Sequence, residues 1–150
     1  MLMDLFYRTC NSGSIFQDIR QYPPIKIGCM RVHFHEFMLD VHGRIHEYKK
    51  NYPRSDPVPP VAASLAKQAR LICFDEMQIT DIADAMIIKR LLMLLFDLGV
   101  TIVTTSNRPP SGLYEGGINR SEFLPFTDTL KERMTVVEME GLRDYRKDVL

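Results

Sequence analysis

Hydrophobic positions change their period several times along the chain, and each change marks an element. Leu71-Ile72-Cys73-Phe74 is an unbroken apolar run between Arg70 and Asp75, the pattern of a strand buried on both faces. Val100 to Thr105 is rich in β-branched residues and predicts a second strand. Between Met30 and Phe37, Val32, Phe34 and Glu36 alternate with Arg31, His33 and His35, and this period of two predicts a third. Helical spacing follows from Met38 to about Asn51 through Val41, Ile45 and Tyr48, and a second helix is expected over Val61 to Arg70. Thr80 and Asp81 are N-cap candidates for a long helix running to Leu98, and Gly99 is placed to end it in the left-handed conformation. Met1 to Arg8 reads as a helix with Leu2, Leu5 and Phe6 on one face. Ser121 to Met134 reads as another, with Pro125 near its first turn, and Thr135 to Met139 as a last short strand.

The punctuation between these elements is polar and proline-rich. Asn11-Ser12-Gly13-Ser14 and Pro23-Pro24 make residues 9–24 an irregular insert, and the four prolines from Pro53 to Pro60 predict a linker without regular structure. Strands alternating with helices predict an α/β sandwich around a mainly parallel sheet.

With 150 residues, 45% hydrophobic and 25% charged, the chain fits a single domain. A formal net charge of zero and a pI near 6.9 leave no overall basic footprint for nucleic acid or an anionic membrane. Cys10, Cys29 and Cys73 lack C-x-x-C spacing and one lies in the expected core, which suits reduced thiols in a cytosolic or mitochondrial compartment. The longest apolar stretch, Ala85 to Phe96, is broken by Lys89 and Arg90 and is too short to span a bilayer, so no transmembrane segment is expected. No signal peptide or Arg-rich presequence opens the chain.

The chemistry concentrates where the apolar run meets Asp75-Glu76. A buried strand delivering two carboxylates to its C-terminal end is how P-loop ATPases hold Mg²⁺ and activate water, the Walker B pattern. Asp75 would hold Mg²⁺ through water, and Glu76 would act as general base. The bland alternative is a strand end at which Asp75 starts a turn and Glu76 is solvated. Asn107 ends the next predicted strand, and in a parallel sheet its amide would lie beside Glu76, within reach of a γ-phosphate and the attacking water; on its own, an Asn before Arg108-Pro109 is a turn residue. Arg120 follows a glycine-rich turn and opens a helix, where it could serve a neighbouring subunit as an arginine finger or simply lie at the surface. Arg108 is a weaker competitor for a γ-phosphate contact. His33 and His35 share a predicted strand face, and His42 and His46 stand four apart on a predicted helix. No Glu of H-E-x-x-H accompanies them, so packing or hydrogen bonding between strand and helix is the expected role rather than zinc.

Taken together, Val32-His33-Phe34-His35-Glu36-Phe37-Met38, Leu71 to Gln78, Thr80-Asp81-Ile82-Ala83-Asp84-Ala85-Met86, Thr105 to Pro110, Phe123-Leu124-Pro125-Phe126 and Asp144-Tyr145-Arg146 resemble the AFG-one-like ATPase family, the group of lactation elevated protein 1 and ZapE. The resemblance covers nearly the whole chain. It implies an AAA+-type P-loop NTPase fold, ATP and Mg²⁺ as ligands, and homo-oligomerisation. It also implies a mitochondrial role in quality control of inner-membrane or respiratory-chain proteins. On that resemblance Asp75 and Glu76 fall on Walker B, Asn107 on sensor one and Arg120 on the finger.

Members of that family carry a strand and a G-x-x-x-x-G-K-[ST] loop just before the residues that match Met1 to Leu5, and this sequence contains no such loop. The expectation is therefore a partial AAA+ large domain over residues 1–150, lacking its first strand and P-loop, with weak ATP turnover or none. The competing reading is a non-catalytic interaction module that assembles with a full-length ATPase through the surface around Arg120. A helicase would also use an Asp-Glu strand end, but no basic stripe accompanies it here.

Overall fold

In a computed structural model, residues 2–11 and 28–139 are described. Helix α1 (Leu2–Asn11) is followed by strand β1 (Cys29–His33), helices α2 (Phe34–Asn51) and α3 (Val58–Gln68), and strand β2 (Leu71–Asp75). Helix α4 (Ile82–Asp97), strand β3 (Thr101–Thr104), a 3-10 turn (Pro110–Gly112) and helix α5 (Arg120–Arg133) complete the order.

The three strands form one parallel sheet in the order β1-β2-β3. Cys29 stands opposite Leu71 and His33 opposite Asp75, while Leu71 to Phe74 face Thr101 to Thr104 on the other side. The central strand is the continuous apolar run, as both-sided burial requires. One face of the sheet carries Ile72, Phe74 and Ile102 into the main core, where Phe34 and Phe37 meet Phe74 with ring centroids 5.8 and 4.6 Å apart. Leu71 and Cys73 emerge on the opposite face and pack against Met3 of α1. Helices therefore cover both faces of an α/β sheet.

Several boundaries differ from the sequence reading. The strand expected over 30–37 is only Cys29–His33, so His35 lies on α2 and shares no strand face with His33. Its partner β2 ends at Asp75, and beyond that rung Phe34, Phe37, Met38 and Val41 gain more from helical spacing, which buries all four. The linker expected to reach Pro60 stops at Pro57, because Pro59 and Pro60 sit in the first turn of α3, where a missing N–H costs nothing. Pro125 is inside α5 rather than in its first turn. Residues 135–139 adopt no strand, and their β-branched side chains Val136 and Val137 are exposed. Residues 9–11 of the expected insert belong to α1, while its remainder and Asp144-Tyr145-Arg146 lie outside the described residues.

The connection that carries β2 toward β3 is built as the sequence suggests. Asp81 is the N-cap of α4, its Oδ1 accepting from the N–H groups of Ala83 at 2.7 Å and Asp84 at 3.3 Å. At the other end Gly99, with φ +75°, closes the helix. Its N–H reaches the Phe96 carbonyl and that of Val100 reaches Leu95, both at 2.9 Å, the paired bonds of a Schellman motif.

Candidate active site

The C-terminal ends of β2 and β3 are joined beyond the last strand residues. Thr105 donates its N–H to the Phe74 carbonyl at 3.1 Å, and its own carbonyl accepts from the Met77 N–H at 2.8 Å. The Thr105 hydroxyl accepts the Glu76 N–H at 3.1 Å, and the Ser106 hydroxyl donates to the Met77 carbonyl at 3.0 Å. Between these anchors Glu76 has φ +55°, a left-handed conformation that L residues with a Cβ adopt only at a cost. Buried Met77 and Ile79 then pin the chain to the core, leaving the Glu76 side chain exposed.

These residues form one wall of a cleft of about 420 Å³. Glu76 to Thr80 and Ser106 to Arg108 line it on one side, Leu113 to Gly117 on the other. Tyr114 is buried in the second wall, its ring 5.2 Å from that of Phe123 and its hydroxyl donating to the Ile118 carbonyl at 3.0 Å. A Cβ on Gly117 would come within 2.2 Å of the Tyr114 ring, so only glycine fits this turn. Arg108 faces Glu115 across the cleft at 3.6 Å, an exposed pair worth little.

The four predicted site residues are thus distributed unequally. Glu76 and Asn107 line the same cleft. Asp75 is turned away from it, with its side chain 14% exposed and Oδ2 accepting from Arg31 Nε at 2.7 Å. Arg31 also donates through Nη1 to Asp4 Oδ1 of α1. Held between two carboxylates, the Arg31 guanidinium is driven further toward its charged form, first by Asp75 and then by Asp4, and Arg31 in turn lowers the Asp4 pKa from its ordinary value. Arg120 is the first residue of α5, is not among the cleft-lining residues, and donates to the Ser111 carbonyl at 2.8 Å.

Thr105, Tyr114 and Arg31 escape the sequence reading. Thr105 matters through backbone pairing, which the run Thr104-Thr105-Ser106 does not advertise, and Arg31 and Asp75 are 44 residues apart. Of the histidines, His42 pairs with Asp84 at 2.6 Å, a hydrogen bond that links helix α2 to helix α4 rather than a strand to a helix. Among the described residues no group of three or more His, Cys, Asp or Glu side chains could hold a metal ion.

The model of a family described as AFG1-like ATPase matches residues 1–150. Lactation elevated protein 1 homolog B of Danio rerio is 46% identical over 97% of this chain and 28% of its own length. The cell division protein ZapE of Escherichia coli K12 is 37% identical over 97% of this chain and 34% of its own. The chain therefore spans about a third of these relatives. AMPPCP-bound DnaA from Aquifex aeolicus aligns with 81% of this chain and 40% of its own, at 18% identity and a TM-score of 0.42.

Proposed function

From the membership of this chain in the AFG1-like ATPase family, we propose that it is the part of an AAA+-type ATPase that positions water and metal against the γ-phosphate of ATP. Its α/β parallel sheet, with helices on both faces, is the P-loop NTPase architecture of that family. The observation that carries the reading is the shared cleft of Glu76 and Asn107 at the C-terminal ends of adjacent parallel strands, where ligands of α/β sheets bind.

In this reading the exposed Glu76 carboxylate accepts the proton of the attacking water, and the Asn107 amide orients that water and the γ-phosphate. By the family resemblance Asp75 would be the carboxylate for hydrated Mg²⁺, whose chemistry is to neutralise phosphate charge, but here it is paired with Arg31 and does not line the cleft. Arg120, outside the cleft of its own chain, would reach the site of a neighbouring subunit and stabilise the transferring phosphoryl group, so the active assembly is a homo-oligomer. The family resemblance further suggests a mitochondrial setting and inner-membrane or respiratory-chain proteins as substrates. Among the described residues, no helix is long and apolar enough to cross a membrane.

The test is ATP hydrolysis and fluorescent-nucleotide binding by the protein carrying Glu76→Gln. Turnover should fall by about 10²- to 10⁴-fold, the usual contribution of a general base, with nucleotide binding kept. Turnover unchanged in the folded variant removes Glu76 from the role. Co-assembly of this chain with a full-length ATPase of the family, without turnover of its own, would favour an interaction module instead.

A further inference from the structure

Arg108 stands where a polyanion would need it. Of the charged side chains that line the cleft among the described residues, Glu76 and Glu115 are anionic and Arg108 alone is cationic. A nucleoside triphosphate brought to the ends of β2 and β3 therefore meets two carboxylates and a single guanidinium. Asn107 beside it offers an amide dipole but no charge. The base of Arg108 is fixed, whereas its end is loosely held. Its N–H donates to the Ser106 hydroxyl at 3.1 Å, and that hydroxyl donates to the Met77 carbonyl at 3.0 Å, so its backbone is tied to the same anchors that flank Glu76. Pro109 follows directly and disfavours the helical region for Arg108. The side chain is half exposed, and its Nη1 lies 3.6 Å from Glu115 Oε2, beyond good hydrogen-bond distance. Exposed pairs of this kind contribute little. A phosphate offers the same guanidinium paired, charge-assisted hydrogen bonds that match its planar fork. Exchanging Glu115 for phosphate is thus favourable and needs only rotation about side-chain bonds.

We propose that Arg108 is the residue by which this cleft distinguishes a nucleoside triphosphate from a diphosphate, its guanidinium leaving Glu115 for the terminal phosphate. This rests on the ATPase reading, which puts the γ-phosphate beside Glu76 and Asn107, and it adds a specificity-determining residue to that site. A diphosphate lacks the terminal group, so Arg108 stays with Glu115 when it is bound. Glu115 is then a competitor for the guanidinium and sets how readily the triphosphate is recognised.

The experiment measures equilibrium binding of fluorescent ATP and of fluorescent ADP to the unsubstituted protein and to Arg108→Gln, Arg108→Lys and Glu115→Gln, with folding checked by circular dichroism. The unsubstituted protein should prefer ATP. Arg108→Gln should weaken ATP binding by about 10- to 100-fold, the effect of losing hydrogen bonds to a charged group, with ADP affinity within about two-fold of the original. Arg108→Lys keeps the charge without the fork and should recover part of the ATP affinity. Glu115→Gln frees the guanidinium and should tighten ATP binding by about two- to five-fold while leaving ADP binding where it was. A preference for ATP that survives Arg108→Gln overturns the proposal, and so does an equal loss of both nucleotides, which would make Arg108 a support for the cleft wall. Equal tightening of both in Glu115→Gln would make Glu115 a general repeller of anions and overturn the exchange. If the unsubstituted protein binds neither nucleotide, the ATPase reading falls and takes this inference with it, whereas binding without preference overturns this inference alone.

Discussion

Replacing Glu76 by glycine should make the protein more stable while removing the carboxylate proposed to activate water. Glu76 has φ +55°, and an L side chain in that region costs about 1–2 kcal/mol from the approach of Cβ to the following carbonyl. Glycine enters it without that cost but loses about 0.5–1 kcal/mol more chain entropy on folding. The net expectation is a gain of roughly 0.5–1 kcal/mol, or about 1–4 °C in melting temperature for a domain of this size. No cavity offsets the gain, because the Glu76 side chain is exposed, and the bond from its N–H to the Thr105 hydroxyl is a backbone bond that glycine retains. Glu76→Gln is the control. It keeps Cβ and the strained φ but loses the charge, so the difference between the Gly and Gln variants isolates the backbone cost from any electrostatic effect. Thermal unfolding followed by circular dichroism, with urea titration as a second probe, measures both. A Gly variant no more stable than the Gln variant would refute the strain argument, and with it the idea that this backbone is held against its preference by the Thr105 anchors for the sake of function.

Two further outcomes follow from contacts away from the cleft. Asp81→Ala removes the acceptor for the Ala83 and Asp84 N–H groups and should cost about 1 kcal/mol, with Asp81→Ser recovering most of it in the same unfolding assay. The Asp56 pKa is lowered from the ordinary value of 3.8, first by its hydrogen bond to Arg90 and next by the Val58 N–H. A carboxyl depressed in the folded state contributes stability above its unfolded pKa and loses it as the pH falls through the folded one. Melting temperature should therefore drop as pH decreases below about 4, less steeply in Arg90→Gln, and the difference should shrink in 1 M salt because the pair is exposed. Equal slopes in the two proteins would show that the pair contributes nothing.

What the sequence revealed, and what it hid, follows from the range of each interaction. The central strand was legible in four consecutive apolar residues, and the start and close of α4 in Asp81 and Gly99, because these signals are local. The start of α2 was not, since Val32, Phe34 and Glu36 fit a strand as well as Phe34, Phe37, Met38 and Val41 fit a helix. The decision lay with β2, whose last paired residue is Asp75. Val136 and Val137 have strand propensity, but a strand needs a partner, and none stands beside them among the described residues. The juxtaposition of Glu76 and Asn107 could be anticipated from parallel topology alone. The turning of Asp75 toward Arg31 could not, because nothing in either segment specifies which carboxylate a rim arginine will take.

The rungs formed by Thr105 and Ser106 also tie the two strand ends into one wall of the cleft. Glu76 lies inside that hydrogen-bonded block and Asn107 directly follows it. The opposite wall, residues 113–117, runs from the 3-10 turn to the residues before α5, and Arg120 links that turn and helix through the Ser111 carbonyl. Tyr114, buried against Phe123, roots that wall in the same core that Met77 and Ile79 enter from the first, so both sides of the cleft stand on one foundation.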